Sequence, residues 1–445
     1  MRRVFKKSFF TVSLAIILAL TLMFSAFGAN FEHIAEDLHD LGLFRGTAEG
    51  FELEREPTRA EAVIMMLRFF GLEEAAQASD AEHPFTDVPT WAESYIAYAY
   101  SRGLTTGATA TEFRPNETCS AQMFVTFMLR ALGYDDSAGD FSFANAVAFA
   151  TEVGIIDSFL AQGTFLRDDM VAVSFLALNA TPQGVTYDSL LEKLVSDGAV
   201  TAAAAAPVLE MFAIFEELVD IEDRLADETN ISMSMTMDMN MGLLGTASAV
   251  MKISMVVEDD DILLAMDMSM EMLGEEIAMH MFMAGGYVYM EIEGEKIKMD
   301  AGLADIDFED FLGMAEVGEF ALNASYFITS ITRTTQGEFT VFTMEFADSF
   351  MEASMDMAMA MLGGTGMDDM LDMGGMDVSI PGMRYYVDAA GNLAKIAMTM
   401  TMAIRELGFT IPVEVDIEIE FLAFGDDVVV TLPDNLDEFV LIEAE

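Results

Sequence analysis

One cysteine stands in 445 residues, and positive charge is nearly as sparse. Cys119 alone forms no internal disulfide and supports no cysteine-based metal site. It lies far inside the chain, so it is not the lipid-bearing first residue of a mature lipoprotein. It reads as a small packing residue at a helix start. Lys and Arg number 21 against 76 Asp and Glu, a net charge of −55. A nucleic-acid surface needs basic patches that displace counterions, so nucleic acid is excluded as a partner. The four histidines, His33, His39, His83 and His280, form no metal-ligand pair on a helix face. No serine elbow, Gly-rich phosphate loop or zinc motif is present. Asp259-Asp260-Asp261 reads as a solvated turn rather than a calcium loop. The chain therefore reads as a non-enzyme with no catalytic residue, no cofactor and no metal site.

Long apolar runs are also scarce. The one at Phe9–Phe24 follows Arg2, Arg3, Lys6 and Lys7 and precedes Ala26-Phe27-Gly28, the layout of a secretory signal over residues 1–28. An uncleaved membrane anchor is the alternative, though the run is short for a span. Without the four basic residues the net charge becomes −59. The acidic residues alternate with apolar ones, as on solvated faces of folded elements.

Residues 85–133 set the pattern of the N-terminal half. Phe85-Thr-Asp-Val-Pro89 and Trp91-Ala92 open onto apolar residues at helical spacing (Tyr95, Ile96, Ala99, Tyr100), stopped at Gly103. Gly107 turns the chain, Phe113-Arg-Pro115 follows, and Phe124, Phe127, Met128 and Leu132 mark a second helix closed by Gly133. Such a helix pair cannot bury its own face and calls for neighbours. Upstream, His33–Leu43 and Val63–Phe70 flank Phe51 and Pro57-Thr58-Arg59-Ala60-Glu61. Downstream, Phe141–Gly154 precedes Phe165 and Arg167-Asp168-Asp169, which open a helix to about Leu178.

These repeats, at about 29–71, 85–133 and 140–180, resemble the S-layer homology (SLH) family over residues 29–180, on the pieces FTDVP…WA, FRP and TRAE. The resemblance implies a three-lobed all-α bundle that binds secondary cell-wall polysaccharide, an anionic glycan often bearing pyruvate. An Arg fork at a helix N-terminus suits such a carboxylate, and a Trp face suits a sugar ring. Carried onto this chain, the glycan-binding residues are Thr58, Arg59 and Glu61 in repeat one, Asp87 and Trp91 in repeat two, and Arg167 in repeat three. The Phe51-to-Arg59 spacing applied from Phe113 lands on Ala121, so repeat two lacks the arginine.

Residues 181–230 read as a helical linker. One helix holds Leu190, Leu191, Leu194 and Val195. Ala202–Ala206 is a low-complexity pause, and a second helix begins at Pro207 as its first residue and reaches about Leu225. Glu216, Glu217, Asp220, Glu222 and Asp223 lie on its polar side. From Ile231 the period becomes two. About ten alternating strands follow, among them Tyr287–Ile292, Phe339–Phe346, Met383–Val387 and Val428–Leu432, an antiparallel sheet with one dry and one wet face. Phe308–Met314 and Met351–Met376 are candidate covers for the dry face. The hairpins GGYVYMEIEGEKIKM and MRYYVDAAGNLAKIAMTMTM and the final Val-Thr-Leu-Pro433 resemble Gram-positive surface lipoproteins with a half-barrel like that of the lipoprotein carriers LolA and LppX. The fold class is thus multidomain α + β: SLH-like bundle, helical linker, and a Met-rich antiparallel half-barrel over residues 231–445.

Thirty-one of 39 methionines follow residue 230. They read as core, as an adaptable apolar cavity for a lipid or hydrophobic peptide, or as thioether ligands of copper(I). Met-x-Met places two sulfurs about 7 Å apart on one face, too far for one ion unless other strands contribute. His280 points to the opposite face from Met279 and Met281. On the cavity reading, Met235, Met237, Met266, Met268, Met279 and Met281 form a hydrophobic-ligand face. The whole reads as a secreted protein held noncovalently at the bacterial cell wall. A structural surface-layer component without a small ligand is the alternative. A hydrolase is a third reading, because SLH repeats often carry enzymes.

Overall fold

The computed structural model describes residues 31–300, 325–347 and 376–441, apart from 158–159, 162, 227, 243–244, 259–260, 273–274, 293 and 407–408. The signal segment and Phe308–Met314 lie outside these residues, as does Met351–Met376 up to Met376 itself. Two compact units divide between Ala213 and Ile214.

The first unit is all helix: α1 (Glu32–Asp40), α2 (Arg59–Phe69), α3 (Glu73–Gln77), α4 (Glu93–Ser101), α5 (Ala121–Ala131), α6 (Ala146–Glu152), α7 (Arg167–Asn179), α8 (Leu190–Ser196) and the start of α9 (Ala202–Ala226). The paired helices of the three repeats are α1/α2, α4/α5 and α6/α7. Thr58, Ser120 and Ser189 cap α2, α5 and α8 by accepting the N–H of the third helical residue. Gly103 and Gly133 end α4 and α5 at φ +71° and +101°, a conformation that a Cβ opposes. Phe31, Phe44, Phe113, Phe124 and Phe175 are fully buried. Burying side chains of this kind contributes on the order of 2 kcal/mol each.

The 181–230 segment is shared between the units rather than lying outside them. Gln183 N–H donates to Leu132 O at 2.8 Å, and a Cβ on Gly71 would meet Ala199 Cβ at 2.5 Å, so this stretch packs back on the repeats. Helix α9 begins at Ala202, and Pro207 lies inside it, not at its first position. The five alanines are the strongest helix formers available, and they carry the helix N-terminally past the one N–H that proline removes. Glu222 also departs from expectation. It is 1% exposed, and its Oε1 accepts the Tyr385 hydroxyl at 3.0 Å.

Among the described residues the second unit is a sheet of thirteen strands: β1 (Ile231–Asn240), β2 (Thr246–Glu258), β3 (Asp261–Met272), β4 (Glu275–Ala284), β5 (Tyr287–Ile292), β6 (Glu295–Asp300), β7 (Ile328–Gln336), β8 (Phe339–Phe346), β9 (Met376–Ser379), β10 (Gly382–Val387), β11 (Leu393–Glu406), β12 (Phe409–Phe424) and β13 (Val440–Leu441). The order is β13-β6-β5-β4-β3-β2-β1-β12-β11-β10-β8-β7, with β9 on β11. The two ends of this path differ, so the sheet is open. All neighbours are antiparallel except β13 on β6. Val428–Leu432 is not a strand. It runs beyond β12 unpaired, and Leu432 joins Leu436 and Phe439 in packing on Phe282 and Tyr289. Apolar cover on an otherwise polar face replaces ladder pairing there.

Candidate functional site

The first candidate lies where the repeats meet. The extended Thr58 starts α2 with a capping box. Its N–H and hydroxyl donate to Glu61 Oε2 at 2.8 and 3.0 Å, and Arg55 forks onto the same carboxylate at 2.7 and 3.0 Å. Burial raises the Glu61 carboxyl, but the Arg55 and Thr58 bonds outweigh it and bring it down to about 2. Thr58 and Glu61 are therefore already engaged with each other and with Arg55.

The segment before α2 pairs with both other repeats. Arg59 N–H donates to Glu117 O at 2.8 Å and Cys119 N–H to Pro57 O at 2.8 Å, while Arg167 N–H donates to Arg55 O at 3.0 Å. This brings two helix-opening arginines into the junctions. Arg59 donates through Nη2 to Thr106 O at 2.7 Å and lies 4.8 Å from the Phe113 ring centre and 5.6 Å from that of Phe127. Arg167 donates through Nε to Phe51 O at 3.0 Å and lies over Phe44 at 5.5 Å. Each arginine thus reaches into the loop of a neighbouring repeat. Ala121 occupies the equivalent first position of α5. Burial lowers the pKa of both guanidinium groups. Among the described residues neither has a carboxylate at ion-pair distance, whereas Arg68 and Arg130 each have one and Arg55 has two.

Asp87 accepts the N–H groups of Phe113 and Arg114, both at 2.8 Å, and so fixes the loop that carries the ring under Arg59. Arg114 and Glu52 sit at matching places in repeats two and one, and both have positive φ, 61° and 52°. Trp91 is 56% exposed in the turn before α4. The surroundings of the arginines were not read from sequence. The paired Phe51 and Phe113 were visible, but nothing in their spacing says that an arginine from another repeat lies against them.

The second candidate is one face of the sheet. Register places Met279, Met268, Met251 and Met235 in one row across β4, β3, β2 and β1, continuing to Ile419 and Ile396. A parallel row runs Met290, Met281, Met266, Ile253, Met233. A third holds Met270, Ala249, Met237, Ile417, Met398, Met383 and Met344. All six methionines read from sequence therefore share one face. Their burial differs. Met237 is 3% exposed, and Met344, Met383 and Met398 are also buried, but Met235, Met266, Met268, Met279 and Met281 are half-buried. Tyr385 stands on the same face, and its bond to Glu222 fixes the second half of α9 over β10. The other face carries a polar row of mostly acidic and basic residues: Lys296, Glu291, His280, Asp267, Lys252, Ser234, Glu420, Lys395. His280 pairs with Asp267 there.

Residues 84–120 match the S-layer homology domain. An endoglucanase of Bacillus sp. (strain KSM-635) is 36% identical over 100 residues, covering 22% of this chain and 10% of the enzyme. A cell surface protein of Thermoanaerobacter kivui is 29% identical over 147 residues, covering 32% and 19%. The chain thus spans less than a fifth of the length of either relative. The solved structure of LprF from Mycobacterium bovis is 10% identical, with a TM-score of 0.26, over 49% of this chain and 96% of that one. The protein is a cell-surface, cell-wall-associated protein with S-layer homology sequence in its helical half.

Proposed function

We propose that the helical unit anchors the protein noncovalently to an anionic secondary cell-wall polysaccharide, and that the methionine face of the sheet takes a hydrophobic ligand, a lipid or an apolar peptide. The chain does this without catalysis. The observation that carries the anchoring is the pair of buried junction arginines that, among the described residues, have no carboxylate at ion-pair distance. A desolvated guanidinium with no counter-ion is costly, and in a chain with 76 acidic residues it gains from an incoming carboxylate. Exposed Trp91 offers a ring for a sugar face, and Arg59 and Arg167 the cationic floors. Domain limits at 29–180, 181–230 and 231–445 go with this reading, with the linker divided as described.

The apolar-ligand half rests on the half-buried methionines over β1–β5, where pliable thioether side chains suit ligands of varied shape. Two measurements on the secreted chain test the proposal. Cosedimentation with purified wall sacculi should fall at least tenfold in Trp91→Ala and in Arg59→Ala. Undiminished binding by folded Arg59→Ala removes Arg59 from the site. Native mass spectrometry with organic extraction should find a co-purifying lipid or peptide. An empty, folded protein would point to a purely structural surface-layer role.

A further inference from the structure

We propose that Met266, Met281 and Met290 form a thioether site for copper(I) on the open part of the methionine face. The distance objection to a single strand does not apply across strands. Residues i and i+2 stand ~7 Å apart, but neighbouring strands lie only ~4.8 Å apart. Met266 pairs directly with Met281, and Met281 with Met290, so three adjacent strands each supply one thioether at the same level. The flexible outer arms need only lean toward the middle one. These three side chains also pack on one cluster, Leu264, Met283 and Val288, which contributes a fourth sulfur through Met283. Met268 and Met279 form the next row.

Residue choice and exposure support the same conclusion. Methionine is not among the preferred strand residues and loses more rotamer freedom on ordering than Ile or Leu. A face that had only to be apolar is better built as β12 builds it, with Val413, Val415, Ile417 and Ile419. The Met266–Met281–Met290 row is half-buried, so an ion can enter, while Met237 and Met398 are closed off. Neutral thioethers are soft ligands that select copper(I) over the harder divalent ions. They need no deprotonation, so affinity should be nearly flat from about pH 5 to 8, unlike sites of His, Cys or carboxylate. The strongly negative chain favours an added cation at long range. His280 faces away with Asp267 and takes no part.

This site does not depend on the apolar-ligand reading, because Met→Leu keeps the face apolar and removes only the sulfur. The full secreted chain would be titrated anaerobically with copper(I) against bathocuproine disulfonate, and with silver(I) in native mass spectrometry. Wild type should retain at least one ion. The triple variant Met266→Leu, Met281→Leu, Met290→Leu, with unchanged circular dichroism, should bind its first equivalent at least tenfold more weakly, while Met237→Leu matches wild type. No retained ion in wild type, or equal affinity in the folded triple variant, overturns the proposal. Should the triple variant lose its fold, peroxide oxidation mapped by peptide on wild type decides. Silver(I) should protect Met266, Met281 and Met290, and equal oxidation with and without silver overturns the site.

Discussion

The two units treat positive charge in opposite ways. The repeats bury Arg59 and Arg167 between neighbouring loops, against aromatic rings and carbonyl oxygens. None of the described lysines and arginines of the sheet is buried. Lys252, Lys296 and Lys395 stand along one ladder row with acidic residues beside them. A junction of the first kind ties residues far apart in sequence, and its loss is felt by two repeats together. A ladder of the second kind is a series of local, solvated pairs, each worth little. The helical unit should therefore be sensitive to single changes at its junctions, and the polar face of the sheet tolerant of them.

The largest expected effect is at Phe113, fully buried beneath Arg59 and beside Phe85. Phe113→Ala should cost the helical unit about 4 kcal/mol, the usual range for a large core truncation. Phe339→Ala on the sheet, whose half-buried ring meets Tyr386 edge-on at 6.2 Å, should cost about 1 kcal/mol. Urea unfolding checks both. The single Trp91 reports the repeats alone, and far-ultraviolet circular dichroism reports both units. Equal losses would erase the distinction between junction and ladder.

Next in size is a pH effect confined to the repeats. Burial pushes the Asp168 carboxyl up to about 7 against the opposing bond from Phe31 N–H. Its folded pKa lies above its unfolded value near 3.8, so the folded state holds the extra proton. Stability from this group is greatest below that unfolded value and falls as pH rises toward about 7. Glu61 acts in the other direction. Its stabilisation is full above about 4.5 and is lost as pH falls toward about 2. The helical unit should be most stable in mild acid, near about pH 4 to 5. Asp168→Asn should add about 2 kcal/mol at pH 8 and little at pH 4, while Glu61→Gln should flatten the acid limb. A pH profile unchanged by Asp168→Asn would mean that this carboxyl is not held protonated.

How much of this could be read from the chain differs between the units for a physical reason. Strand limits came through in full for two alternating runs that follow glycine turns. Tyr287–Ile292 after Gly285-Gly286 and Phe339–Phe346 after Gly337 match residue for residue. Alternation also gave the shared face of the six methionines, because a period of two fixes sides. It could not give the order, in which β1 lies beside β12, since register between distant strands is set by the whole sheet. In the repeats, motif phrases located Arg59, Asp87 and Arg167, but the burial of the two arginines depends on loops contributed by other repeats. Glu222 was misread for the same reason. A charged residue on a polar helical side is ordinarily solvated, and the sequence does not show that the Tyr385 hydroxyl, 163 positions away, meets Glu222 in a buried place.

The smallest expected effect tests the ladder side of the comparison. Lys395 reaches Glu418 at 3.2 Å and lies 4.6 Å from the centre of the Tyr386 ring, with its side chain 26% exposed and that of Glu418 48% exposed. Lys395→Ala removes both interactions, yet an exposed pair of this kind contributes about 0.5 kcal/mol or less, and salt screens it further. Urea midpoints of wild type and variant should differ slightly in dilute buffer and converge in 0.5 M salt (an ionic strength of roughly that size shortens the screening length to a few ångströms). A loss above about 2 kcal/mol that survives salt would show that the row from Lys296 to Lys395 acts as one coupled network rather than as separate pairs. The polar face would then be as sensitive to single changes as the repeat junctions.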